Sequence, residues 1–178
     1  ASYFINTTHT VAVISIFGNS VETLLNGTQI NARTGLDYFD ASGSYKTSSD
    51  GTSNEHGNDS WAYDQRGIDF ISKDQYGYHY ALTDKLFRIK NRDEFQRIIL
   101  KAAANDNYPF QSGGAHIRDA YVHALSQLGK LHLDERTYEP CVMYVNGQYW
   151  GVYEIREKVD DADFTDYYFK QDEWNVQM

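Results

Sequence analysis

Asn146-Gly147, set between the apolar runs 141–145 and 148–153, constrains this chain more than any other feature. Both residues accept the positive φ of a type I′ turn, so the flanking runs are expected to pair as an antiparallel hairpin. Residues 11–17 are nearly all apolar and β-branched, which predicts a strand buried on both faces. A second apolar stretch, 21–25, ends at Asn26-Gly27 and is expected to join the first in a hairpin or an open turn. Residues 41–58 are dense in Ser, Gly, Asp, Asn and Thr and read as a long loop or a pair of short edge strands. Residues 67–71 read as a strand with its turn at 73–77, and 95–104 as another strand, although Phe95, Ile98, Ile99 and Ala102 also suit a helix.

The clearest helix covers 115–128, where Ile117, Ala120, Tyr121, Ala124, Leu125 and Leu128 recur along one face. Ser112 and Gly113-Gly114 lead into it and Gly129 closes it. A short acidic helix is expected over 161–170. The expected fold class is therefore α+β: a mostly antiparallel sheet, one main packed helix and a short C-terminal helix. With 178 residues and 41% hydrophobic content, the chain suits a single domain spanning 1–178.

Sixteen basic against twenty-five acidic side chains give a net charge of −9, which argues against a nucleic-acid partner. The single cysteine, Cys141, excludes an intrachain disulfide and a thiolate cluster, and its apolar neighbours make it a small buried hydrophobe. No stretch approaches the roughly 20 apolar residues of a membrane span. The opening residues lack the charged and apolar regions of a signal peptide. Asn6, Asn26 and Asn58 begin Asn-x-Ser/Thr sites, which matter only in a glycosylating host. His116 and His123 share a helix face but stand too far apart along it for one metal.

The run Asn146-Gly147-Gln148-Tyr149-Trp150-Gly151-Val152-Tyr153-Glu154-Ile155-Arg156-Glu157-Lys158 is similar to the aromatic-rich hairpin and Glu-Lys ending of spore-coat CotH-type proteins, an atypical kinase family. Leu100 to Asp106 followed by Ile117-Arg118-Asp119-Ala120 resembles that family's strand, Asn-Asp turn and Arg-Asp helix. Gly57-Asn58-Asp59-Ser60-Trp61 resembles its Gly-Asn-x-Ser loop. Where family members usually carry Lys-Ser after that loop, this chain has Gln65-Arg66-Gly67. The resemblance implies a kinase-like amino-terminal lobe, with the second lobe lying beyond this chain, and places no catalytic residue and no metal ligand within it. In the complete protein it implies phosphoryl transfer from ATP, with Mg²⁺, to protein hydroxyls. The partners implied are a nucleotide, a protein substrate and the missing C-terminal lobe, and the location is extracellular or cell-surface.

The same resemblance nominates cofactor-binding residues. Lys101 or Arg66 would hold phosphates, Asp119 would orient that cation, and Glu154, Ile155, Arg156, Glu157 and Lys158 would form the hinge whose backbone meets adenine beside Val152. From spacing alone, a solvated strand end at Lys101 and an ordinary first-turn acid at Asp119 are the stronger reading, and the resemblance brings the two readings level. Arg118 sits badly with the helix dipole unless a carboxylate or phosphate faces it. A rival from another class is a non-catalytic surface or coat module binding glycan or protein through Tyr144, Tyr149, Trp150 and Tyr153.

Overall fold

The computed structural model describes residues 7–106, 113–131, 133, 135–160 and 162–171. Asn6, Ser112, Asp161 and the segment 174–178 lie outside the described residues. In chain order the elements are β1 (Ala12–Phe17), α1 (Val21–Leu25), β2 (Ala32–Phe39), β3 (Tyr45–His56), β4 (Gly67–Ser72), β5 (Leu82–Thr83), β6 (Glu94–Phe95), β7 (Arg97–Lys101), α2 (Arg118–Leu128), β8 (Tyr138–Val145), β9 (Gln148–Glu157) and α3 (Ala162–Phe169).

Seven strands close into a barrel in the order β1-β2-β3-β4-β7-β9-β8, and β5 with β6 forms a separate two-stranded sheet. β1 supplies the closure. It pairs antiparallel with β2, Ile14 opposite Tyr38, and parallel with β8, Ile14 opposite Met143. Both of its edges are thus consumed, and an apolar core including Ile14, Leu36, Phe70, Leu100, Met143 and Ile155 fills the interior.

This architecture overturns the expected α+β, kinase-like lobe with a main packed helix. The sheet buries its hydrophobic face against itself, so no helix is needed to cover it. The apolar spacing of α2 is present, but its face is bare: only Ala120 and Ser126 of the helix are buried, while Ile117 is 56% and Leu128 81% exposed. Periodicity shows that residues share a face, not that anything covers the face.

Two local expectations also fail. Residues 21–25 form a one-turn helix because Val21, Leu24 and Leu25 are spaced i, i+3, i+4, and all three are buried. Residues 45–56 form one 12-residue barrel strand, paired on both sides, instead of a loop. Its Thr47, Ser49 and Ser53 are small polar residues buried opposite Tyr38, Leu36 and Ala32. Backbone pairing with β2 and β4 fixes this strand, and side-chain composition does not announce it.

Gly51 of β3 is required by close approach: a Cβ there would stand 1.9 Å from the Ile71 carbonyl oxygen. Gly51→Ala is expected to cost about 1–3 kcal/mol, read as a lower midpoint in urea with an unchanged slope. An unchanged midpoint would mean that β3 and β4 can separate freely at this point.

Other expectations match. The strands at 11–17, 67–71 and 95–104 correspond to β1, β4 and β7, and the acidic helix to α3. The hairpin forms with Asn146 at φ 49° and Gly147 at φ 84°. Cys141 is fully buried, and burial pushes its thiol pKa well up.

Candidate functional site

Four segments meet on the outer face of the barrel: the loop after β3 with its 3₁₀ turn Asp59–Ala62, the end of β7, the 3₁₀ turn Ala104–Asp106, and the start of α2. Between them lies a cavity of about 570 Å³, lined among others by Asn58, Ser60, Lys101, Asp106, Arg118 and Asp119. A smaller recess of about 210 Å³, walled by His56, Gly57, Gln65 and Gly67, adjoins it. Ser60, Lys101 and Ala104 line both spaces.

The chain enters this site through strained backbone. Ala103 and Ala104 are both left-handed, at φ 59° and 48°, a conformation that costs a side-chain-bearing residue roughly 1–2 kcal/mol. Just after them, buried Asp106 caps α2 from outside the helix. Its Oδ1 accepts the Ala115 N–H at 3.0 Å, its Oδ2 accepts the Arg118 N–H at 2.9 Å, and Arg118 Nη2 lies 3.1 Å from Oδ1. Ile117, at the cap position itself, has no side chain able to do this. The Arg118 N–H bond, then Ala115, hold the Asp106 pKa below the usual carboxylate range against its burial. The misfit of Arg118 with the helix dipole is resolved by this carboxylate, and its side chain remains 57% exposed.

Lys101 and Asp119 form an ion pair, with Lys101 retaining 15% of its side-chain surface. Behind Asp119 stands Arg156, fully buried, whose Nη2 reaches Asp119 Oδ2 at 3.0 Å and Glu154 Oε2 at 2.8 Å. Its Nε donates to the same Glu154 oxygen at 3.1 Å. Partial burial opposes ionisation of Asp119, but the Lys101 bond and the charges of Lys101 and Arg156 outweigh it and lower its pKa. His123 Nε2 lies 3.5 Å from Asp119 Oδ1, and burial depresses the imidazole pKa, so at neutral pH the ring is an uncharged neighbour.

The remaining nominated residues lie elsewhere. Arg66 donates to the Trp61, Leu25 and Asp64 carbonyl oxygens and lies over the Trp61 ring, so it braces the loop and α1 instead of facing the cavity. The backbone of Glu154–Glu157 pairs with β7 on one side and β8 on the other, which leaves no hinge-like edge for adenine. Strand alternation also separates the proposed slot, since Ile155 is in the barrel core and Val152 is half-exposed outside. Glu157 is buried against Arg92 and Tyr168. Lys158 contacts Asp69 and Asp160. The surface-module set is likewise divided: Tyr144 and Tyr153 are buried, Trp150 packs on the core, and Tyr149 is exposed.

The sequence matches the family described as CotH kinase protein over residues 56–176. The chain belongs to the CotH kinase family. Among curated proteins no match to this chain is found. The CotH match begins at His56, so it contains every residue of the two adjoining cavities and leaves β1, β2 and almost all of β3 outside. Sequence reasoning missed Asp106 as a cap and the pair His56 and Asp69. Asp69 carried one readable signal, an acid alternating with Ile68 and Phe70 in a strand that is otherwise apolar.

Among the described residues no group of three or more His, Cys, Asp or Glu is placed to hold a metal ion. Of the three carboxylates lining the larger cavity, Asp106 and Asp119 are already held by cations or N–H donors, and Asp59 is a single ligand.

Proposed function

We propose that the Lys101 cavity binds the phosphates of ATP, and that the complete CotH-type protein uses this barrel for phosphoryl transfer to protein hydroxyls at the cell surface or outside the cell. The Lys101–Asp119–Arg156 network carries this reading. Phosphoryl transfer needs a cation held rigidly beside the phosphates, and here a fully buried arginine anchors the carboxylate that orients an accessible lysine. Arg118 offers a second, exposed cation, while the Ser60 hydroxyl and the Gly57 backbone line the wall. Gly57 is at φ 107°, and a Cβ there would collide with Ser60 Oγ at 2.3 Å, so the loop can lie close to a ligand. Asp59, Asp106 and Asp119 do not make a Mg²⁺ site.

Calorimetric titration of ATP with Mg²⁺ tests the reading. Lys101→Met is expected to weaken binding about ten- to hundred-fold, the worth of a charge-assisted bond. Equal affinity of wild type and variant would place the nucleotide elsewhere.

A further inference from the structure

We propose that His56 is a ligand contact at the inner end of the Lys101 cavity, whose protonated imidazole donates Nε2–H to an oxygen of a phosphate-bearing ligand. The inference rests on the phosphate-binding reading of that cavity and adds a residue and a pH dependence to it.

The geometry begins with Asp69. Its Oδ1 lies 2.8 Å from His56 Nδ1, and its Oδ2 lies 3.0 Å from Lys158 Nζ. Burial opposes the Asp69 charge, but His56 and Lys158 outweigh it and keep its pKa low, so the carboxylate stays ionised. The Asp69 carboxylate beside Nδ1 favours a proton on that nitrogen, which leaves Nε2 to meet a ligand. The ring lines the 210 Å³ recess, with Cδ2 stacked 3.6 Å from where a Gly67 Cβ would be, and Nε2 has no hydrogen-bond partner among the described residues. Lys101 and Ser60 line the same recess.

Charge accounting gives the imidazole its consequence. Lys101 and Arg156 are matched by Asp119 and Glu154, and Arg118 by Asp106. An anion entering the cavity therefore meets cations that are already compensated. Around His56 the facing charged groups are Asp69 on β4, Lys158 beyond β9 and Lys101 on β7, with Asp160 reaching Lys158 from the solvent side at 3.3 Å. Lys158 is shared between Asp69 and Asp160, so with a neutral ring two carboxylates face one ammonium, and protonating His56 balances the group and removes the negative charge that an entering anion would meet. Gly67 borders the same recess, and a Cβ there would press on the His56 carbonyl oxygen at 3.3 Å.

The test uses the 178-residue chain, ATP with Mg²⁺ and inorganic tripolyphosphate as probes, and the variants His56→Gln and Lys101→Met. Affinities are measured at about pH 5.5 and about pH 8, on either side of the ordinary histidine pKa. Comparing wild type with His56→Gln at each pH cancels the ligand's own titration. Wild type is expected to bind tripolyphosphate about tenfold tighter than His56→Gln at the lower pH and within about twofold at the higher. In ¹⁵N spectra of the wild type, the His56 Nε2 signal should move on binding. Should Lys101→Met abolish binding while the wild-type to His56→Gln ratio is pH-independent and the Nε2 signal stays put, the His56 contact is overturned and the Lys101 reading stands. Absence of binding by either probe overturns both.

Discussion

Arg156→Met is expected to cost about 3–5 kcal/mol of folding stability, because it strands a buried carboxylate. Glu154 is buried, and its described cationic partner is Arg156 through two nitrogens. Removing the guanidinium leaves that charge without compensation and frees Asp119 from one of its two strong anchors, so Lys101 loses a fixed partner as well. Replacing both members, as in Glu154→Leu with Arg156→Met, removes the uncompensated charge and is expected to recover most of the loss. Urea denaturation of the wild type, single and double variants gives the comparison. A single variant within about 1 kcal/mol of wild type would show that Glu154 takes up a proton or reaches water with ease, and the buried network would lose its structural role. The double variant is also informative about binding, since it retains Lys101 and Asp119 while deleting the residue that positions Asp119.

Phe70→Ala is expected to cost about 3–5 kcal/mol, whereas Leu128→Ser should stay within about 0.5 kcal/mol. Phe70 is fully buried inside the barrel, and Leu128 lies at the end of α2 with most of its surface in water. The contrast separates two accounts of where stability resides. In a lobe held by a helix packed on an open sheet, both residues would contribute. In a closed barrel the sheet provides its own cover, and α2 is tied down by the Asp106 cap and the Asp119 ion pairs instead of by its leucines. A loss for Leu128→Ser comparable to that for Phe70→Ala would show that the helix face is covered in solution.

Much of the candidate site was legible because it depends on short-range chemistry. Lys101 ends an apolar strand and Asp119 sits on the first turn of a helix, so their partnership needed only a strand and helix that meet, as they do. Arg118 announced an acidic neighbour through its conflict with the dipole, and Asp106 supplied it. The hinge assignment failed for a reason of period. Residues 154–157 continue β9, so Glu154 and Arg156 turn outward to the network while Ile155 and Glu157 turn inward, and the backbone between them is consumed by two ladders. Arg66 is turned from the cavity by a partner that spacing does not reveal: beside the nearby Trp61 and Asp64 carbonyls, it reaches the Leu25 carbonyl at the end of α1, 41 residues away.

The sequence by itself determined the elements whose causes are local: the Asn146-Gly147 turn through its positive φ and β1 through its β-branched run. It also determined the family, through a match that spans the site. Tertiary structure alone decided that the sheet closes, that a Ser- and Thr-rich stretch becomes a barrel strand, and that the apolar face of α2 stays exposed. The closure, which leaves α2 with nothing to cover, rests on backbone pairing between segments distant in sequence, residues 12–16 against 141–145, and the Ser- and Thr-rich strand is held by backbone pairing with β2 and β4. Such hydrogen bonds join peptide groups common to every residue, so side-chain pattern carries little record of which strand will be the partner.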